Sequence, residues 1–298
     1  MAEVRLADGG LETSLIFHQD IELPLFAAFP LVLEADGRAA LRAYWEPYLA
    51  IAREYGVPFV VDTATWRANP DWASQLGFSA QDLREANRRA AAFARELSAE
   101  VEHATVNGVV GPRGDGYAVE DVMSAEQAAG YHSPQVEALA AADVDQVSAV
   151  TFTYPQEAIG FLEAASAADL PAIVSFTVET DGRLPNGQRL RDAVRTVDEA
   201  TDHAALGFMV NCAHPTHFEG ALVGGRWLDR ITGIRANSST MSHAELDAAE
   251  ELDDGDPDDL AERYRRLLDR LPALQLLGGC CGTDERHLRA IGEACCRS

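Results

Sequence analysis

The chain has 298 residues, 47% of them hydrophobic and 24% charged, which suits a globular protein with a sizeable core and excludes a disordered or fibrous one. Its 24 basic side chains face 48 acidic ones, and a formal net charge of −24 repels phosphate backbones and anionic membrane surfaces, so neither nucleic acid nor membrane is an expected partner. Five cysteines, an odd number, argue against a disulfide framework in a reducing compartment and leave metal binding or plain burial.

No stretch approaches the roughly 18 uninterrupted apolar residues of a membrane span. The opening Met1–Asp8 has no basic segment leading into an apolar run, so a cytoplasmic location is expected. Along the chain, short β-rich apolar runs alternate with longer stretches rich in Ala, Glu, Arg and Leu at helical spacing, the pattern of parallel strands joined by helices. The predicted strands are Val4–Ala7, Val57–Asp62, Thr105–Val110, Val147–Phe152, Ala172–Thr177, Gly207–Asn211, Ile231–Ile234 and Leu274–Leu277, apolar enough for burial on both faces. Eight such units predict an α/β fold, a (β/α)8 TIM barrel that occupies residues 1–298 as a single domain.

Between the strands, helices are predicted over Ala39–Glu54, with a kink at Pro47, over Ala80–Glu102, and over Ala125–Ala142 behind a Ser124/Gln127 capping box. The apolar loop Phe17–Leu33 is long enough to cover the barrel mouth. Glu251–Asp259 is rich in acids but lacks the spacing and closing glutamate of a calcium loop, and reads as a solvated connection that caps a helix starting near Pro257. Val109–Gly114 lacks the lysine and spacing of a phosphate loop and reads as a tight turn.

The strongest local signal is Leu276-Leu-Gly-Gly-Cys-Cys-Gly-Thr-Asp284, an apolar strand running into two glycines and two adjacent cysteines. Neighbouring side chains on a regular strand face opposite ways, so two thiolates can serve one ion only where the backbone leaves strand geometry, and the glycines permit that. A third thiolate, Cys212 in Val210-Asn-Cys-Ala-His-Pro215, follows another apolar strand and so belongs to the same end of a barrel, where active sites gather. Three sulfur ligands with one open position describe a catalytic zinc centre that can deprotonate an incoming thiol. His214 and His217 are set aside as ligands because three thiolates already suffice, and Cys295 and Cys296 lack the flanking glycines.

Leu6-Ala-Asp-Gly-Gly-Leu-Glu-Thr13, Thr151-Phe-Thr153 with Glu157-Ala158, Val210-Asn-Cys212 and Gly278-Gly-Cys-Cys-Gly-Thr283, in this order over almost the whole chain, together resemble the homocysteine S-methyltransferase family. The resemblance implies a (β/α)8 barrel in which Cys212, Cys280 and Cys281 bind Zn2+. It further implies that Asp8 and Gly9 contact the substrate amino acid, that Glu157 binds its ammonium group, and that Thr63 lies beside them. Asn237, in Ile234-Arg-Ala-Asn-Ser-Ser239, also falls in a family-like segment, where it either orients substrate, supports the thiolates, or makes a structural turn. Acids just past strand ends also serve as helix caps, the alternative use of Asp8 and Glu157.

The expected partners are homocysteine and a small methyl donor. A sulfonium such as S-methylmethionine or S-adenosylmethionine is electron-poor without a second cofactor, and Trp66 or aromatics of the Phe17–Leu33 loop are candidates to face that cation, if they are not simply core. Relatives that draw methyl from folate through cobalamin carry large extra domains, for which this length leaves no room. Betaine as donor and selenocysteine as acceptor are alternatives; Arg67, where a betaine user would carry an aromatic, weighs against betaine. A zinc hydrolase and a non-catalytic amino-acid-binding barrel are the readings of another class, and the first suffers because three thiolates leave zinc poor at polarising water.

Overall fold

A computed structural model describes residues 3–119 and 121–296. Eight parallel strands, each paired with its sequence neighbours and the last with the first, close into a barrel. They are β1 (Arg5–Ala7), β2 (Phe59–Asp62), β3 (Thr105–Val110), β4 (Gln146–Phe152), β5 (Ala172–Phe176), β6 (Gly207–Asn211), β7 (Ile231–Ala236) and β8 (Leu276–Gly279). Every predicted strand is present. The last two run two residues further toward the mouth than the apolar runs reach, because Arg235, Ala236, Gly278 and Gly279 still pair in the ladder.

Alternation along each strand sorts the side chains. Leu6, Phe59, Val61, Val174, Phe208, Val210 and Leu277 point outward into the continuous core beneath the helices. Their neighbours Ala7, Val60, Ile173, Met209 and Leu276 form a separate small cluster inside the barrel. The rest of the interior is hydrogen-bonded polar groups: Asn107 donates to both Asp62 and Ser148 at 2.7 Å, and Gln146 donates to Asn107 at 3.3 Å. Strands predicted as apolar on both faces are thus apolar mainly on the face toward the helices.

The helix at Ala35–Tyr55 continues as one element through Pro47 and ends on Gly56 in the left-handed region. Helices Ala80–Ser98 and Ala125–Ala140 both begin with capping boxes, the second made by Ser124 and Gln127 as the sequence predicts. Asp256 caps the helix Pro257–Arg270 by accepting from Asp258 and Asp259 backbone amides, which gives the acidic segment its structural use. None of the helices, among the described residues, is long and apolar enough to cross a membrane.

One helix side chain reaches the backbone of the site strands. Tyr264 accepts from the Ala236 amide at 2.8 Å and donates to the Gly278 carbonyl at 2.5 Å, so it joins β7 to β8 just below the glycine-cysteine turn. Tyr264→Phe strands a buried amide and carbonyl; it is expected to lower stability by about 1–3 kcal/mol, read by chemical denaturation, and a loss below about 0.5 kcal/mol contradicts this role.

Candidate metal centre and substrate pocket

The cysteines meet at the C-terminal end of the barrel. Cys212 follows β6 in the left-handed region at φ 53°, a conformation uncommon outside glycine, and its amide bonds the Arg235 carbonyl at 3.1 Å. Cys280 leaves β8 with its amide on the Ala236 carbonyl at 2.8 Å, and the Cys281 carbonyl accepts from Ser238 at 3.2 Å. Gly282, at φ 77°, then turns the chain where a Cβ would meet the Asp253 carbonyl at 2.8 Å. Together these turns aim three sulfurs, all within 4.8 Å of one another, at one point.

One sulfur pair stands at the spacing of two metal ligands. Four ligands around zinc at about 2.3 Å lie roughly 3.8 Å apart, and the Cys212 and Cys281 sulfurs are 3.7 Å apart. Cys212 and Cys280 are joined as a disulfide in this structure, their Cα atoms 5.3 Å apart, so metal binding requires that pair reduced. Burial pushes the Cys281 thiol up to about 11, only partly countered by the Tyr117 hydroxyl, so a nearby cation is what would make it a thiolate at neutral pH. Among the described residues this is the one group of three or more His, Cys, Asp or Glu side chains able to hold an ion. His214 instead caps a short helix through the Thr216 amide, and Cys295 and Cys296 are half-buried against the core, away from the cluster.

Around the sulfurs runs a pocket of about 650 Å³ whose wall includes Asp8, Gly9, Thr63, Trp66 and all three cysteines. Gly9 and Gly10 are needed for close approach: a Cβ on Gly10 would stand 2.6 Å from the Cys280 carbonyl, and one on Gly9 2.6 Å from that of Thr283. Trp66 also lines a second, outer chamber of about 1080 Å³, together with Phe17, Phe26, Arg67, Tyr117 and Asn237. Phe17 and Phe26 bring the loop after β1 to the mouth, as its apolar character suggests. Glu157 is absent from both walls. It is fully buried; its Oε1 accepts from the Arg113 amide at 2.7 Å and lies 3.0 Å from His132 Nε2, while its Oε2 has no partner.

Several residues of the site are given no role by the sequence, though Glu12, Asn211 and Arg235 stand within its motif segments. Arg235, buried at the end of β7, ion-pairs with both Asp8 and Asp62 and donates to the Gly279 carbonyl at 3.1 Å. Tyr44 donates to Asp8 at 3.1 Å, so the Asp8 carboxylate is engaged from two sides. Burial nonetheless lifts the Asp8 carboxyl above its ordinary range, with Arg235 pulling the other way, and burial lifts Glu12 on the same wall to about 7. Asn211 accepts from Thr151 and Ser175, donates to Thr151, and sets its amide 3.9 Å from the Cys280 sulfur. Tyr117 donates to the Cys212 sulfur at 3.2 Å and stacks on His243. An arginine in the inward register of β7, opposite aspartates ending β1 and β2, is the one of these that charge balance makes findable in the sequence.

Arg235→Met leaves two buried carboxylates without a counter-charge and is expected to cost about 3–5 kcal/mol near neutral pH. The sign with pH follows from Asp8, whose carboxyl burial already holds above its unfolded value: the penalty is absent while it is protonated and grows as pH rises through its folded pKa. Chemical denaturation at pH 5 and pH 8 should show the smaller deficit at pH 5; equal deficits contradict the pairing.

Comparison with known proteins agrees with this architecture. The homocysteine S-methyltransferase family profile matches residues 5–295. Homocysteine S-methyltransferase 4 of Zea mays is 25% identical, over 97% of this chain and 88% of that protein. Homocysteine S-methyltransferase 3 of Arabidopsis thaliana is 23% identical over 58% of this chain and 50% of its own length. In fold, the chain is similar to crystal structures of the homocysteine methyltransferase MmuM from Escherichia coli. The oxidized form gives a TM-score of 0.76 at 22% identity, covering 97% of this chain and 95% of that one; the metallated form gives 0.75 at 22%, covering 98% and 96%. With the profile spanning nearly every residue and a three-sulfur cluster at the mouth of the barrel, this chain belongs to the homocysteine S-methyltransferase family.

Proposed function

We propose that this protein transfers a methyl group from a sulfonium donor, S-methylmethionine or S-adenosylmethionine, to homocysteine, with Zn2+ held by Cys212, Cys280 and Cys281. The observation that carries the reading is the convergence of three sulfurs within 4.8 Å on the wall of a mouth pocket, in a chain of this family. Zinc bound there would hold a substrate thiol as thiolate at neutral pH, where a free thiol of pKa about 8.5 is mostly protonated.

The chain's own residues position the reactants. Tyr117 and Asn211 offer polar hydrogens to the cysteine sulfurs, which would orient them as ligands. The Asp8-Gly9 segment and Thr63 form the wall against which the amino acid lies. Thr63 takes the Val109 amide at 2.9 Å, so it is rigid. For the substrate ammonium, Glu157 is the favoured carboxylate: a buried oxygen without a donor gains most from a charged one. Since Glu157 stands behind the pocket wall, its contact with substrate requires the Arg113 loop to yield. Asn237, whose Oδ1 is likewise buried and unpartnered, faces the outer chamber and is assigned there to the donor. Trp66 borders both chambers, where its ring can face a cation as the methyl passes.

Reduced, zinc-loaded protein incubated with homocysteine is expected to form methionine with a sulfonium and none with betaine; methionine from betaine alone would reject the donor assignment. Serine at any one of the three cysteines should abolish stoichiometric zinc, measured by metal analysis after gel filtration. Glu157→Gln should raise the homocysteine Michaelis constant by roughly 10- to 100-fold, the equivalent of one charge-assisted hydrogen bond, and an unchanged constant removes Glu157 from the site.

A further inference from the structure

The acceptor sulfur must sit beside the cysteine cluster, and in-line transfer brings the donor's positive sulfur within a few ångströms of it. The carboxylates on that wall are Asp8, Glu12 and Asp62. Asp8 and Asp62 are both held by Arg235. Glu12 differs: it lies in the first turn of the helix Leu11–Phe17, half-buried, and among the described residues no other side chain hydrogen-bonds or ion-pairs with it. The charges that act on it are Asp8, Arg235 and, from the outer chamber, Arg67, while Cys281 in turn feels Glu12. It lies on the wall of the sulfur-side pocket, next in sequence to Thr13, which borders both chambers. Thr13, Phe26, Trp66, Tyr117 and Cys281 belong to both walls and mark the passage.

We propose that Glu12 is the residue that selects a cationic methyl donor, its carboxylate facing the sulfonium across from Trp66. The inference rests on the sulfonium reading above and adds the residue that reads the charge. A half-buried carboxylate without a direct ion pair is poorly compensated, and a sulfonium beside it replaces lost hydration with direct attraction. During transfer a thiolate lone pair forms the new C–S bond and the old C–S pair returns to the donor sulfur, which becomes a neutral thioether; no proton or external electron is needed. Attraction to Glu12 is greatest for the bound sulfonium, weaker in the transition state where its charge is dispersing, and gone in the product. Glu12 therefore serves donor affinity and product release more than the chemical step.

The test is steady-state kinetics of Glu12→Gln and Glu12→Asp with S-methylmethionine and homocysteine, with methionine as a neutral inhibitor and zinc measured per chain. Glu12→Gln should raise the S-methylmethionine Michaelis constant at least tenfold with kcat within threefold, and leave the homocysteine constant and the methionine inhibition constant within twofold. Glu12→Asp, which keeps the charge, should recover most of the loss. The ratio of donor constant to methionine constant is independent of the fraction of folded protein, so poor folding cannot imitate the result. A donor constant within twofold of wild type, or an equal rise for methionine and homocysteine, would overturn the assignment. Wild-type protein that turns over no sulfonium at all would instead reject the donor reading on which it rests.

Discussion

Everything at the mouth of this barrel is held in register by one buried guanidinium. Arg235 grips Asp8 at the end of β1 and Asp62 at the end of β2, bonds the Gly279 carbonyl next to Cys280, and lends its own carbonyl to the amide of Cys212. Four strand ends and two ligand-bearing turns thus meet on a single residue. Planar, five-donor geometry is what makes this possible, and no lysine could replace it. The guanidinium also offsets one of the two carboxylate charges that Asp8 and Asp62 bring into the barrel mouth.

Inside the barrel a hydrogen-bonded set of Asn107, Ser148, Gln146 and Asp62 accompanies a small cluster of Ala7, Val60, Ile173, Met209 and Leu276, where a TIM barrel commonly carries aliphatic layers throughout. Such a network is costly unless complete and rigid when complete. Rigidity there gives the left-handed conformations of Thr151 and Cys212 something to lean on, since each strained residue is tied by Asn211 or by β7. The glycines of the first and last motifs let two loops touch across the β1–β8 seam, so the substrate-side loop and the cysteine loop are one mechanical unit, further joined by the Gly282 amide on Thr13.

The sequence made the barrel legible because outward-facing positions such as Val61, Val174 and Leu277 repeat with strand periodicity, and it made the cysteine cluster legible because Gly-Gly-Cys-Cys-Gly has few other uses. The interior arginine ends the apolar run of β7, so that strand is expected two residues too short, and the glycines after Leu277 end the run of β8, so that strand is expected two residues too early. Tyr117 was hidden for a different reason. It sits in the loop after the turn read at Val109–Gly114, and only the folded chain brings that loop over Cys212. Glu157 sits in the first turn of its helix against His132, outside the lining of either chamber, a placement that its position after a strand does not disclose.

The proposed centre requires three sulfurs to hold an ion with room for a fourth from outside. Zinc-edge X-ray absorption of the reduced, zinc-loaded protein tests it directly. About three sulfur scatterers and one lighter ligand are expected at rest, becoming four sulfurs when homocysteine is added. A four-sulfur or histidine-containing shell that homocysteine leaves unaltered would contradict it.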